Sequence, residues 1–223
     1  MRLFLAAALF VPAVLLLDGP GLVRQSALGA ATALFLALLI RRVDGKQVAM
    51  AIVIATAGEM VLSLGWGLYE YRHAAIPLYV PFGHGVFYAL AAIAAPRLRE
   101  LEQRIVRGTL LAGSVLAAVS YFAMQDEWGL LWWIAAAALI ARSRNALLLS
   151  ICFAMTVLLE WLGTGLGNWR WAAEVPGLGL HSANPPSGVG ILYVILDTLT
   201  LAVARATQGR TARRLSGVAP ATE

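Results

Sequence analysis

Apolar runs follow one another along nearly the whole chain, separated by short stretches that gather the charged residues and the prolines. A helix needs roughly 20 apolar residues to cross a bilayer core, where each backbone polar group must be satisfied within the segment. Runs near 2–17, 26–40, 47–66, 82–96, 107–124, 127–141, 145–164 and 187–205 predict an all-α, polytopic transmembrane helix bundle of about eight spans. Several runs fall short of that length, so their helices should extend a few residues into the loops. Only 13% of the residues are charged, about half the share usual in a soluble domain. No clear A-x-A cleavage site lies directly before Asp18-Gly19-Pro20, so the first apolar run is expected to be a span, not a signal peptide.

The basic residues orient the bundle. With the N-terminus cytoplasmic, 14 of the 17 Lys and Arg residues fall inside, and only Arg24, Arg72 and Arg170 fall outside. This positive-inside bias predicts a multi-pass protein of the inner (plasma) membrane with both termini cytoplasmic. The net charge of +5 is therefore a topology signal. No aromatic-studded basic stripe suggests a nucleic-acid partner. Residues 208–223 read as a basic cytoplasmic tail near anionic headgroups. Cys152, the only cysteine, excludes an intrachain disulfide and a cysteine metal cluster, and reads as a small buried hydrophobe.

The chain also repeats itself. Residues 81–88 (Pro-Phe-Gly-His-Gly-Val-Phe-Tyr) and 186–193 (Pro-Ser-Gly-Val-Gly-Ile-Leu-Tyr) share P-x-G-x-G-[VI]-[FL]-Y. Upstream of each lies a Glu and a Gly-x-aromatic-x-aromatic segment: Glu59 with Gly67-Leu68-Tyr69-Glu70-Tyr71, and Glu160 with Gly167-Asn168-Trp169-Arg170-Trp171. Two blocks in the same order imply a duplication, with residues 1–100 and 101–207 as four-helix membrane repeats. Four spans per half give both halves the same orientation, hence a parallel repeat about an axis along the membrane normal.

The unusual residues gather on one side. Both long loops, 67–81 and 165–186, lie outside and carry Pro77, Pro81, Pro176, Pro185 and Pro186, so a lid-like or re-entrant loop is expected in each half. All seven Trp and all six Tyr fall in the outer half. That is either a one-sided aromatic belt or the wall of a cavity, with Trp66, Tyr69, Tyr71, Tyr88, Trp161, Trp169, Trp171 and Tyr193 as its substrate-binding residues. Glu59, Glu160 and Asp197 sit near mid-membrane, where a charge costs about 2.5–3.5 kcal/mol. Each has two readings: a structural hydrogen bond to a neighbouring helix, or acid–base chemistry. Two glutamates at equivalent repeat positions favour chemistry. Asp197 has Ala92 as its counterpart, and His84, a proton-shuttle candidate, has Val189. The glycines of both P-x-G-x-G segments suit close helix contact. No metal-ligand spacing, phosphate loop or dinucleotide fingerprint is present, so no metal and no cofactor is expected.

The stretch from Glu59 through Gly67-Leu68-Tyr69-Glu70-Tyr71 to Pro77-Leu78-Tyr79-Val80-Pro81 resembles the integral-membrane carotenoid hydratases, the bisanhydrobacterioruberin-hydratase-like proteins. The second copy, from Glu160 through Gly167-Asn168-Trp169-Arg170-Trp171, resembles the same pattern. The resemblance implies a membrane lyase that hydrates an isoprenoid or carotenoid-like lipid, with membrane lipids as its other partners. One Glu would protonate the double bond, the other would orient water, and Tyr and Trp faces would stabilise the cation. Two rival classes remain from the residues alone. A small-solute or proton-coupled transporter fits the parallel repeat and central acids. A non-catalytic lipid-binding or assembly subunit fits if both glutamates are satisfied by helix backbone.

Overall fold

The computed structural model describes residues 2–215. Among them run eight α-helices: α1 (Arg2–Leu16), α2 (Leu22–Ile40), α3 (Gly45–Glu59), α4 (Val80–Arg97), α5 (Glu102–Met124), α6 (Glu127–Arg142), α7 (Ala146–Gly165) and α8 (Ile191–Leu215). α3 continues without a break into a π-helical turn, Met60–Gly65, and a 3-10 turn, Arg99–Leu101, leads into α5. The eight apolar runs thus appear as eight helices, and most extend a little beyond them. α8 continues past the end of its run to Leu215; the rest of the expected basic tail lies outside the described residues.

Four of these segments are long and apolar enough to cross a membrane: Leu22–Ile40, Gly45–Gly65, Arg99–Met124 and Ala146–Gly165. Their outward faces agree. Val23 is 86% exposed and Phe122 84%, and Leu34, Leu111 and Leu158 are exposed as well. A soluble monomer rarely presents so much contiguous apolar surface, so these faces suit lipid.

Local signals explain the helix ends. Asp44 caps α3 by accepting from the Lys46 N–H at 2.9 Å. Asp126 caps α6 by accepting from the Gly129 N–H at 3.0 Å. α5 ends at Gln125, whose φ of 55° is left-handed.

Two buried clusters form the core. One joins α3, α4, α7 and α8 around Tyr88, Phe87, Cys152, Tyr193 and Leu196. The other joins α5, α6, α7 and the long loops around Trp133, Phe153, Trp169 and Trp171. α3 packs on α4 and α8, and α7 packs on α8 and α4; α2 lies against α4, and α6 against α8. Glycines allow the closest approaches. Gly188 meets the α6 backbone near Trp133, and Gly190 meets the Phe153 ring, with no room for a Cβ at either. α1 has sparser neighbours and stacks Phe10 on Phe35 of α2, with ring centres 4.5 Å apart.

The bundle is not purely helical. The long loops hold two short strands, β1 (Tyr69–Tyr71) and β2 (Trp169–Trp171), which pair antiparallel. The sequences Tyr-Glu-Tyr and Trp-Arg-Trp alternate with the period of a strand, so both aromatics of each strand fall on one face. Those four aromatics are buried, while Glu70 and Arg170 are exposed.

Candidate functional site

Each strand leaves its helix through a glycine in the left-handed region, Gly67 (φ 75°) and Gly167 (φ 70°), a turn that favours residues without a side chain. The strands then pair Tyr69 with Trp171, Glu70 with Arg170 and Tyr71 with Trp169. This register is symmetric about the central pair and exchanges equivalent positions of the two sequence copies. The flanking bonds follow the same symmetry, with Arg72 N donating to Asn168 O at 2.8 Å and Ala172 N donating to Leu68 O at 2.9 Å.

Beneath the sheet, each glutamate is tied to the two aromatics of its own copy. Tyr69 and Tyr71 both donate their hydroxyls to Glu59 Oε2, at 2.7 and 2.8 Å. Trp169 and Trp171 both donate their indole N–H to Glu160 Oε2, at 2.7 and 2.9 Å. Glu59 Oε1 also lies 3.1 Å from His84 Nε2 on α4. Tyr69 packs on Trp171 across the strand pair, with ring centres 4.6 Å apart. Burial, and after it the charge of Glu59, push the Tyr69 and Tyr71 hydroxyls above the ordinary phenol range, which keeps both as donors.

Glu59, Glu160, His84, Tyr69, Tyr71, Trp169, Trp171 and Tyr193 line one cavity of about 290 Å³. Its remaining wall is mostly aliphatic, from Phe10, Val11, Val14 and Leu15 of α1 to Ile195, Leu196 and Leu199 of α8. Ile195 and Leu199 are also 43% and 46% exposed, so this side of the cavity adjoins the exposed apolar surface of α8. Thr56 and Ser63 make no bond to the Glu59 carboxyl. Thr164 bonds the Glu160 backbone carbonyl, not its side chain. Side chains, not helix backbone, hold both acids.

Four expected site residues lie elsewhere. Trp161 follows Glu160 directly, and one helical step of about 100° turns it outward, leaving it 50% exposed. Trp66, at the end of the π-helical turn, donates its N–H to Pro176 O at 2.9 Å and meets Trp128 edge-on. Tyr88 is wholly buried but donates to Gln47 Oε1 at 2.6 Å, on α3, away from the cavity. Asp197, one helical turn beyond Tyr193, is fully buried beneath the cavity and not part of its wall.

Several residues that support the site were not anticipated. Asp126, fully buried, accepts from Ala183 N at 2.9 Å, Ser187 N at 2.7 Å, Gly129 N at 3.0 Å and Ser120 Oγ at 2.8 Å. It ties the loop after β2 to the start of α6. In the first copy, Asp18 accepts from Gln25 Nε2 at 2.7 Å and from Asn168 Nδ2 at 3.1 Å. The signal was present as Asp18-Gly19-Pro20-Gly21-Leu22 and Asp126-Glu127-Trp128-Gly129-Leu130, both D-x-x-G-L. Asn184 completes the support, its Oδ1 accepting from Trp171 N at 2.9 Å.

Among the described residues, no group of three or more His, Cys, Asp or Glu is arranged to hold a metal ion. Comparison with protein-family models, curated proteins and solved structures finds no match.

Proposed function

We propose that this membrane protein hydrates a carbon–carbon double bond near the end of an isoprenoid or carotenoid-like lipid. One observation carries the reading: two glutamates, each fixed by two aromatic donors from a shared sheet, line a single apolar cavity. We further read the bundle as eight spans in two parallel four-helix repeats, with both termini cytoplasmic. The symmetric strand register supports this. An antiparallel pair has a twofold axis perpendicular to its plane, and here that axis passes between Glu70 and Arg170 and relates the two copies.

The chemistry follows from the unequal surroundings of the two acids. Both indoles bind Glu160 Oε2, which leaves Oε1 for a proton directed at the lipid. The π electrons of the double bond take that proton and form a C–H bond. The positive charge then rests on the more substituted carbon, where Trp and Tyr faces attract it without attacking it. A water oxygen forms the C–O bond, and the proton it sheds passes to the Glu59–His84 pair. Tyr193, whose ring centre lies 5.2 Å from that of His84 and which lines the same cavity as both glutamates, returns the proton to Glu160. The net change is addition of one water.

The cavity volume suits part of a lipid, not the whole of one. At about 290 Å³ it stands at the small end of the range for ligand pockets. A longer chain would extend past Ile195 and Leu199 into the bilayer.

The test is incubation of the reconstituted protein with prenyl lipids in H2(18)O, followed by mass spectrometry. Wild type should add one labelled water to the lipid, and Glu160→Gln should abolish the addition while the lipid still co-purifies. Full turnover in Glu59→Gln or Glu160→Gln, or no conversion by wild type of any prenyl lipid offered, refutes the reading.

A further inference from the structure

Away from the sheet, α8 carries a polar stripe that the acid pair does not use. Tyr193, Asp197 and Thr200 stand at i, i+4 and i+7 and share one helix face. Tyr193 lines the cavity, whereas Asp197 and Thr200 are 0% exposed. Neither carboxyl oxygen of Asp197 nor the Thr200 hydroxyl has an oxygen or nitrogen partner, and the only donor facing the carboxyl is the Cys152 thiol, a weak one. Cys152 of α7 lies beside the Asp197 carboxyl, and Tyr88 of α4 is buried in the same cluster as Cys152, Tyr193 and Leu196. The Tyr88 hydroxyl continues the series to Gln47, which is partly exposed near the start of α3. That end of the bundle bears Arg41, Arg42 and Lys46, opposite the sheet.

Each unmatched buried polar group costs about 1–3 kcal/mol. Native proteins retain such groups mainly where ordered water completes their bonds. At the sheet end the Tyr79 hydroxyl and Asn168 Oδ1 are unpartnered too, but there Leu68 and Val175 are each only 1% exposed and the four strand aromatics close over the acids. Hydration consumes one water per turnover, and that water needs a path through an apolar bundle.

We propose that the Tyr193–Asp197–Thr200 face of α8, with Tyr88 and Gln47 beside it, holds a file of water joining the cavity to the basic-loop end of the bundle. Asp197 anchors the file by accepting from its waters. The water delivered is the water added to the lipid, so no other reactant is needed. The task given to this water rests on the hydration reading; its presence does not.

The sole cysteine is a built-in probe, since Cys152 is buried against the anchor. Silver ion travels where water and small cations travel, and it binds thiols. Ag+ would be added to one face of sealed, oriented vesicles, after which the protein is unfolded and alkylated, and the blocked fraction of Cys152 is read by mass spectrometry. Wild type should be blocked about tenfold faster from the basic-loop face than from the sheet face, a barrier difference of about 1.4 kcal/mol. Asp197→Leu should remove that advantage, and Thr200→Val, a milder change that keeps the helix packed, should reduce it.

Blocking that is equally slow from both faces of wild type, or that is fastest from the sheet face, overturns the proposal. So does blocking that neither substitution alters. Access of silver from the basic-loop face without conversion of any lipid keeps the water file and discards the hydratase. Lipid hydration with Cys152 inaccessible does the reverse.

Discussion

Replacing Asp126 with alanine should loosen the site without touching it. The carboxyl accepts four hydrogen bonds, three of them from the backbone N–H groups of Gly129, Ala183 and Ser187. The fourth donor, Ser120, can rotate to another partner, but the backbone donors cannot. Each stranded donor costs about 1–3 kcal/mol, giving about 3–9 kcal/mol, with the lower end expected where the loop relaxes toward water. Taking about 4 kcal/mol, and about 2–4 °C per kcal/mol for a chain of this size, the melting temperature should fall by about 8–16 °C. The assay is thermal unfolding in detergent of Asp126→Ala, with Glu127→Ala as control. Glu127 makes only one exposed bond, from His181 N at 3.1 Å, and its loss should shift the melting point little. The loop that Asp126 holds carries Asn184, which fixes Trp171, so a drop in lipid turnover should accompany the lost stability. A melting point for Asp126→Ala within the error of the Glu127→Ala value would refute this account of the loop.

Gly163→Ala should displace Trp169, because a Cβ there runs into the indole ring; overpacking of this kind costs about 1–3 kcal/mol. Gly108→Ala, where a Cβ meets nothing within 4 Å, should be neutral or mildly stabilising, and equal melting points for the two would contradict the packing. The Tyr69 and Tyr71 phenols, raised by burial and by Glu59, should not ionise in the folded protein, so native tyrosinate absorbance should be unchanged in Tyr69→Phe/Tyr71→Phe up to about pH 11. Their raised native pKa makes the unfolded state release protons first, so their contribution to stability is complete below about pH 10 and declines above it; ionisation of either phenol in the native protein near pH 10 would show the burial to be wrong.

Helix positions were legible in the sequence because apolar runs bounded by charged and proline-rich stretches leave few alternatives. The two glutamates were legible because they recur in step with the duplicated motif. The strand pairing was not, since Tyr69 and Trp171 stand far apart in sequence and three-residue strands leave no apolar run. Tyr88 and Tyr193 occupy equivalent motif positions, yet only Tyr193 reaches the cavity. Motif position fixes the helix on which a residue sits, whereas Gln47 on α3 decides where the Tyr88 hydroxyl is satisfied. Asp18 and Asp126 were missed because they lie in short turns that apolar periodicity passes over, although their shared D-x-x-G-L was present to be read.

The copies differ in ways that bear on the chemistry. Glu59 precedes Gly67 by eight residues, whereas Glu160 precedes Gly167 by seven. The extra residue falls where α3 becomes the π-helical turn Met60–Gly65, the form a helix takes when it absorbs an insertion. Both copies then reach a left-handed glycine and an equivalent strand, so the extra residue is accommodated before the sheet begins. Phenols that can donate and accept surround Glu59, with His84 beside it, whereas indoles that only donate surround Glu160 and Val189 stands where the histidine would be. A symmetric pair of acids would offer a lipid two equal donors and no distinct acceptor. In the proposed hydration, the phenols and His84 let Glu59 pass protons onward, whereas the two indoles only hold Glu160 in place, the division that protonation on one side of a double bond and water attack on the other require.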